Sequence, residues 1–350
     1  CVNENLMNNT TFLGLEMKKK RSAQQHSTPV ADNKKGKISQ SSVVQAYVWG
    51  FNVDHQLGVD VVPQDGKVCN KEEEVDGVQS GVPLLLHFPE TVSIKNISLG
   101  SRHSLCLTSE GKIYSWGWGA TGQLGQNDLS TRETPTLVSY FESKSVASIS
   151  AGGCHSGCIT DASEIYTWGL NTYGQLGLGK AAMDDGIVPY PQQVMFENGQ
   201  ALLGQKLSCG GLHSAVLSSG QVYCFGRADS GQLGIGDAWL QQGKAFLDGA
   251  ATSNMETELG VPAPVLVTGV SNVKHVVTGA FHTAAITQDG ALYTWGKEDY
   301  GMLGVPNQDL LKDGVWRPHH VPKPEALKTS IFLSVACGGW HTAVVAGAAE

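Results

Sequence analysis

Five histidines in this chain are each followed by a hydroxyl residue and preceded, three places back, by glycine. They are His103-Ser104, His155-Ser156, His213-Ser214, His282-Thr283 and His341-Thr342. A histidine beside a serine or threonine could act as the base for an oxygen nucleophile, provided a third group orients the imidazole. Such chemistry uses one base, whereas this pair is copied along the chain with no third partner at a fixed place. Repetition favours architecture. Each imidazole is expected to hydrogen-bond a backbone group of the glycine-rich turn, so that a buried polar side chain is satisfied.

Three further constellations suggest chemistry and fail on context. Cys154 and Cys158 flank His155, but a zinc site normally draws four ligands from two separated pairs, and no second pair follows. The eight cysteines read instead as small apolar fillers of a reducing compartment. The run Gly117-Trp-Gly-Ala-Thr-Gly122 fits a dinucleotide fingerprint literally, yet QLGQND follows where a helix must start. No metal and no cofactor are expected. Finally, Lys18, Lys19, Lys20 and Arg21 precede Lys34 and Lys35 by about one dozen residues, the spacing of a bipartite nuclear-import signal. The alternative is a basic tail that simply stays in water.

Charge divides the chain in the same way. The formal net charge is −8, with the basic excess confined to residues 1–45 and the acidic excess after them. An acidic body repels a phosphate backbone, so any nucleic-acid contact belongs to the tail. No run of about 18 apolar residues predicts a membrane span. The expected location is cytoplasmic or nuclear. Residues 1–45 are polar and aperiodic and are read as disordered, residues 46–345 as one folded unit, and 346–350 as a short tail.

A second signature explains that folded unit. Tyr-x-Trp-Gly, or Tyr-x-Phe-Gly once, is followed by QLG or MLG in five copies: Tyr47–Gly58, Tyr114–Gly125, Tyr166–Gly177, Tyr223–Gly234 and Tyr293–Gly304. Much of the glycine excess, 43 of 350 residues against a usual ~7%, lies in these motifs. Between them run short alternating segments such as Ser145–Ser150 and Asn272–Val277, which read as strands. One supersecondary unit copied at this period must stack on its neighbours to bury its apolar face. Four-stranded sheets arranged radially, a β-propeller, are the predicted result. Trp49, Trp116, Trp168, Phe225 and Trp295 are the expected packing between blades.

The phase of the copies bears on closure. The first has no histidine segment before it, and the last histidine segment, around His341, has no Tyr-x-Trp-Gly after it. Pairing of the two half-blades would complete a fifth blade and close the ring, removing two sheet edges. The stretches Val59–Val92, Gly179–Gln205, Gly236–Asn272 and Val305–Ile331 are read as long connections, where binding residues usually lie.

The segment GGCHSGCITDASEIYTWGLNTYGQLGLG, Gly152–Gly179, resembles the regulator of chromosome condensation family of propellers. The likeness extends over nearly everything after residue 45. It implies a protein-binding propeller, typically of seven blades, with members that include a guanine-nucleotide exchange factor for the GTPase Ran and a plant UV-B photoreceptor. The exchange factor keeps functional acids within its G-x-x-H segments. The matching positions here are Ser101/Arg102, Gly153/Cys154, Gly211/Leu212, Ala280/Phe281 and Gly339/Trp340, none of them acidic. His341 alone matches a partner-facing histidine of that relative. The photoreceptor's tryptophan positions correspond to Ser101, Gly153, Gly211, Ala280 and Gly339, so light sensing of that type is not expected. The resulting expectation is a non-enzymatic adaptor or regulator, with exchange on a Ras-like GTPase as the alternative. Its candidate contact residues are Arg102, Leu212, Phe281, Trp340 and His341. Those before each histidine either crowd on one rim as a hot spot or fold inward and plug the hub.

Overall fold

The computed structural model describes residues 45–59, 79–89, 92–236, 260–305 and 314–348. The basic clusters at Lys18–Arg21 and Lys34–Lys35 lie outside the described residues.

Four antiparallel sheets of four strands follow one another along the chain. The first holds β3 (Ile94–Leu99), β4 (His103–Thr108), β5 (Ile113–Gly117) and β6 (Arg132–Leu137). The second holds β7 (Val146–Ala151), β8 (His155–Thr160), β9 (Ile165–Leu170) and β10 (Ile187–Gln193). The third holds β11 (Lys206–Cys209), β12 (His213–Ser218), β13 (Gln221–Arg227) and β14 (Gly260–Leu266). The fourth holds β15 (Val273–Thr278), β16 (His282–Thr287), β17 (Leu292–Gly296) and β18 (Val315–His320). Two-stranded sheets flank this series: β1 (Tyr47–Phe51) with β2 (Gln79–Leu85), and β19 (Ser330–Cys337) with β20 (Thr342–Ala348). β20 thus runs three residues into the segment expected to be a C-terminal tail.

Among the described residues the terminal strands do not share a sheet, so the expected closing pair is not seen. β1 is hydrogen-bonded to β2 and β20 to β19, each pair a sheet of its own. The described residues therefore form four complete blades between an outer half-blade and an inner half-blade. Burial agrees: every residue of β4, β8 and β16 is buried, whereas β20 is half-buried or exposed throughout. A strand with no neighbour on one edge has nothing to cover it.

Each blade has the same internal logic. The histidine strand pairs with the Tyr-x-Trp-Gly strand so that histidine opposes glycine and the hydroxyl residue opposes the aromatic: His103 with Gly117 and Ser104 with Trp116, for example. Gly117 has φ 99°, and a Cβ there would lie 2.7 Å from the Arg102 carbonyl oxygen, so glycine is required on both counts. That glycine also shifts the register of the outer strand.

The outer strands β2, β10, β14 and β18 occupy stretches that the sequence presents as connections, while β6 lies outside them. RETPTL, IVPYPQQ, GVPAPVL and VWRPHH, like QSGVPLL of β2, each contain proline. Proline cannot donate to a ladder and is tolerated only at an edge, which is where these strands lie.

The core sits between blades. Trp168 packs with Leu105, Leu107 and Phe141 of the preceding blade, and Trp295 with Ala215, Val222 and Leu233. Trp116, Trp168, Phe225 and Trp295 are all fully buried. Trp49, expected to join them, is only half-buried, because β1 has no histidine strand beside it.

Candidate partner-binding face

The histidines link neighbouring blades. His103 Nε2 lies 2.8 Å from Ser156 Oγ, His155 Nε2 2.8 Å from Ser214 Oγ, His213 Nε2 2.9 Å from Thr283 Oγ1, and His282 Nε2 2.9 Å from Thr342 Oγ1. Each of these hydroxyls donates to a main-chain carbonyl: Ser156 to Gln123, Ser214 to Gln175, Thr283 to Gln232 and Thr342 to Met302. With its proton spent there, the hydroxyl must accept from the imidazole, so Nε2 carries the hydrogen. Nδ1 has no hydrogen-bond partner in any of the four. The expected bond to a backbone group of the glycine turn is not made. Those groups are already engaged, as where Gly100 N–H donates to the His103 carbonyl and Ser101 N–H to that of Gly152.

This arrangement does not support nucleophilic catalysis. The imidazole presents a donor, not a base, to the hydroxyl, and all four rings are shut off from solvent. Burial lowers the pKa of His103, His155 and His213 to about 3 and that of His282 to about 4. His341 differs, being exposed.

The turns before these histidines meet a second position of the repeat at one end of the blades. The residue after Trp-Gly donates its N–H to the carbonyl of the residue before histidine: Trp118 to Arg102, Leu170 to Cys154, Arg227 to Leu212 and Lys297 to Phe281, at 2.9 to 3.0 Å. Side-by-side pairs therefore line this end. Sequence reasoning identified the first member of each pair and missed the second. Its signal is nonetheless visible: Phe51, Trp118, Leu170, Arg227 and Lys297 vary freely beside a constant Trp-Gly or Phe-Gly.

Chemically the pairs are unequal. Arg102 donates from Nε to Asp54 Oδ2 at 2.6 Å and from Nη2 to Oδ1 at 2.5 Å, and its guanidinium lies 4.1 Å from the Trp118 ring centre. The Asp54 bond raises the Arg102 pKa. Leu212 is 5% exposed and belongs to the core, so it interrupts the expected arc. Cys154 is half-buried, and burial raises its thiol pKa.

Beyond Leu212 the surface becomes aromatic and cationic. Phe281 and Trp340 have ring centres 5.1 Å apart at 32°, and Tyr300 meets Trp340 edge-on at 5.8 Å. Lys297 Nζ lies 5.4 Å from the Phe281 ring centre and 5.2 Å from that of Trp340, and Arg227 approaches Phe281 and Tyr173. Tyr300 is 89% exposed. None of Arg102, Phe281 or Trp340 lines the hub. That cavity, about 140 Å³, is bordered by small residues such as Gly152, Gly210, Gly279 and Gly338. Among the described residues no three His, Cys, Asp or Glu side chains converge as a metal site, and no helix is long and apolar enough to cross a membrane.

Comparison with known proteins fits this repeat geometry. A family profile described as the RCC1-like domain matches residues 36–344. The chain belongs to the RCC1-like domain family. Within it, the ultraviolet-B receptor UVR8 of Arabidopsis thaliana is 34% identical over 265 residues, covering 75% of this chain and 53% of the receptor. Human E3 ubiquitin-protein ligase HERC2 is 31% identical over 76% of this RCC1-like chain but only 5% of its own length. Human protein RCC2 is 33% identical over 62% of the chain and 42% of its own length. The chain thus spans about half the length of two of these relatives and a small part of the third. Among solved structures, Prp20p from Saccharomyces cerevisiae aligns with a TM-score of 0.66 at 23% identity, over 87% of this chain and 65% of its own. Human WBSCR16 aligns at 0.63 and 24%, over 85% and 66%. At those identities the two structures speak for the fold alone.

Proposed function

We propose that this RCC1-like domain is a non-enzymatic interaction platform, an adaptor or regulator in small-GTPase signalling, whose contact face is centred on Phe281 and Trp340. The supporting observation is the aromatic group of half-buried Phe281 and Trp340 and exposed Tyr300, with Lys297 lying across two of its rings. Aromatic anchors beside a cation have the composition of binding hot spots. Arg102, already oriented by Asp54, and the exposed His341 extend the face at little ordering cost. The partner class is argued from the resemblance to a family whose members include an exchange factor for the GTPase Ran; the Prp20p structure, described together with that protein's binding to Gsp1p and histones, adds the shared fold alone. If the basic clusters of residues 1–45 direct nuclear import, their deletion will redistribute a tagged protein.

The test is affinity capture from a cell lysate with the wild-type chain and a Phe281→Ala/Trp340→Ala variant. Loss of a GTPase or GTPase regulator by a variant with an unchanged melting curve is the expected result. Equal capture of that partner by both proteins would remove this face from consideration.

A further inference from the structure

Asparagine followed directly by glycine occurs once in the 350 residues, at Asn198-Gly199. With no side chain on the second residue, its peptide nitrogen can approach the carboxamide carbon of the first without obstruction. The other described asparagines lack this freedom. Asn52 and Asn171 are buried, their Oδ1 atoms accept from Leu57 and Leu176 N–H, and β-branched Val53 and Thr172 follow them. Asn96 lies inside β3 before Ile97, Asn127 precedes Asp128, and Asn272 precedes Val273.

Asn198 stands at the tip of a tight turn between β10 and β11. Phe196 N–H donates to the Gln200 carbonyl at 2.8 Å and Gly199 N–H to the Phe196 carbonyl at 2.9 Å, while Met195 and Ala201 form a single bridge. Gly199 takes the left-handed φ of 79° that closes such a turn, and a Cβ built on it would meet nothing within 4 Å. The base of the turn is fixed, since Val194 and Leu202 are buried in one apolar cluster. Its tip is open, with residues 197–200 all exposed. Asn198 Oδ1 accepts from Gln200 N–H at 2.9 Å, which folds the carboxamide back over the Gly199 peptide.

We propose that Asn198 is a site of intramolecular deamidation, at which the turn converts its own carboxamide into a carboxylate. The Gly199 nitrogen gives its proton to water and bonds to Asn198 Cγ; the Cγ–Nδ2 bond breaks, and ammonia leaves with a proton returned from solvent. Water then opens the cyclic imide. Cleavage at Cγ leaves aspartate, and cleavage at the main-chain carbonyl leaves isoaspartate, whose backbone runs through the former side chain. No electrons are exchanged, and water is the co-reactant. The Gln200 N–H sits where negative charge develops on Oδ1 during the attack. The Gly199–Phe196 hydrogen bond must open first, which costs little at an exposed turn. Either product sets a carboxylate beside Glu197. The change is local: the turn precedes the start of β11, whereas the proposed contact face lies beyond its other end.

The tryptic segment Ala181–Lys206 holds a single asparagine. After incubation of the purified full chain at mildly alkaline pH, its mass should rise by one amide-to-acid exchange. Fragment ions should place the exchange at residue 198, with aspartate and isoaspartate forms eluting separately. Mildly acidic buffer should slow the conversion, because the attacking nitrogen must lose its proton. Asn198→Gln should leave the segment unchanged, and Gly199→Ala should slow the conversion at least tenfold, with folding of both checked by thermal melting. An Asn198 that stays intact in the folded chain while a synthetic peptide of the same turn sequence converts overturns the proposal. So does an equal rate in Gly199→Ala.

Discussion

Each buried histidine is a neutral donor whose protonation the fold resists. An unfolded imidazole titrates near 6.5, whereas His103, His155 and His213 are held near 3 and His282 near 4. Above pH 6.5 both states are neutral, and these residues leave stability independent of pH. Below it the unfolded chain takes up protons that the fold refuses, so stability falls on acidification. Each histidine contributes about 1.4 kcal/mol per pH unit within that window. Urea midpoints should therefore drop steeply between pH 6.5 and 5, above the range in which carboxylates titrate. Replacing His155 with Gln should flatten the slope by about a quarter. A midpoint unchanged from pH 7 to 5 would refute the neutral ladder.

Among the strands, the aromatics of the Tyr-x-Trp-Gly segments divide by neighbour rather than by sequence. Trp168 is fully buried, packed against Phe141 and Leu105, and its Nε1 donates to the Gln123 carbonyl at 2.9 Å. Trp168→Ala should cost ~3–5 kcal/mol and lower the melting temperature by several degrees. Trp49→Ala, at a half-buried site without a histidine strand beside it, should cost less than about half as much. Equal losses in calorimetry would show that Trp49 is packed like the others. The three inner strands of each blade were legible because their alternation and glycine punctuation are local properties. The fourth strand was not, because proline in RETPTL or VWRPHH signals a break unless the position is already known to be an edge.

For the whole molecule, the proposed contact face bears on two activities. Exchange on a GTPase demands groups that displace a bound nucleotide, and the positions before the histidines carry no acid. Nucleotide release from a panel of Ras-like GTPases should proceed at its spontaneous rate in the presence of this chain. An acceleration of tenfold or more would replace the adaptor reading with exchange. The proposed face combines residues read from the repeat with others placed by the structure. Arg102, Phe281 and Trp340 stood out by their place in the repeat, while Lys297 and Tyr300 joined them only through backbone pairing and ring contacts across two blades.

Two periodic signatures by themselves determined the blade, its three inner strands, the burial of four aromatics and the structural role of the histidines. These follow from contacts that recur from copy to copy in kind, although Trp116 and Trp168 donate to a carbonyl where Phe225 has no indole to do so. The tertiary structure decided what depends on a neighbour: that Leu212 is core while Phe281 is half-buried, that each buried imidazole bonds the hydroxyl of the next blade, and that β1 and β20 lie in separate sheets among the described residues. A repeat specifies its own fold and its adjacent interface. Where the series is interrupted, only the positions of the blades in space determine which edges meet.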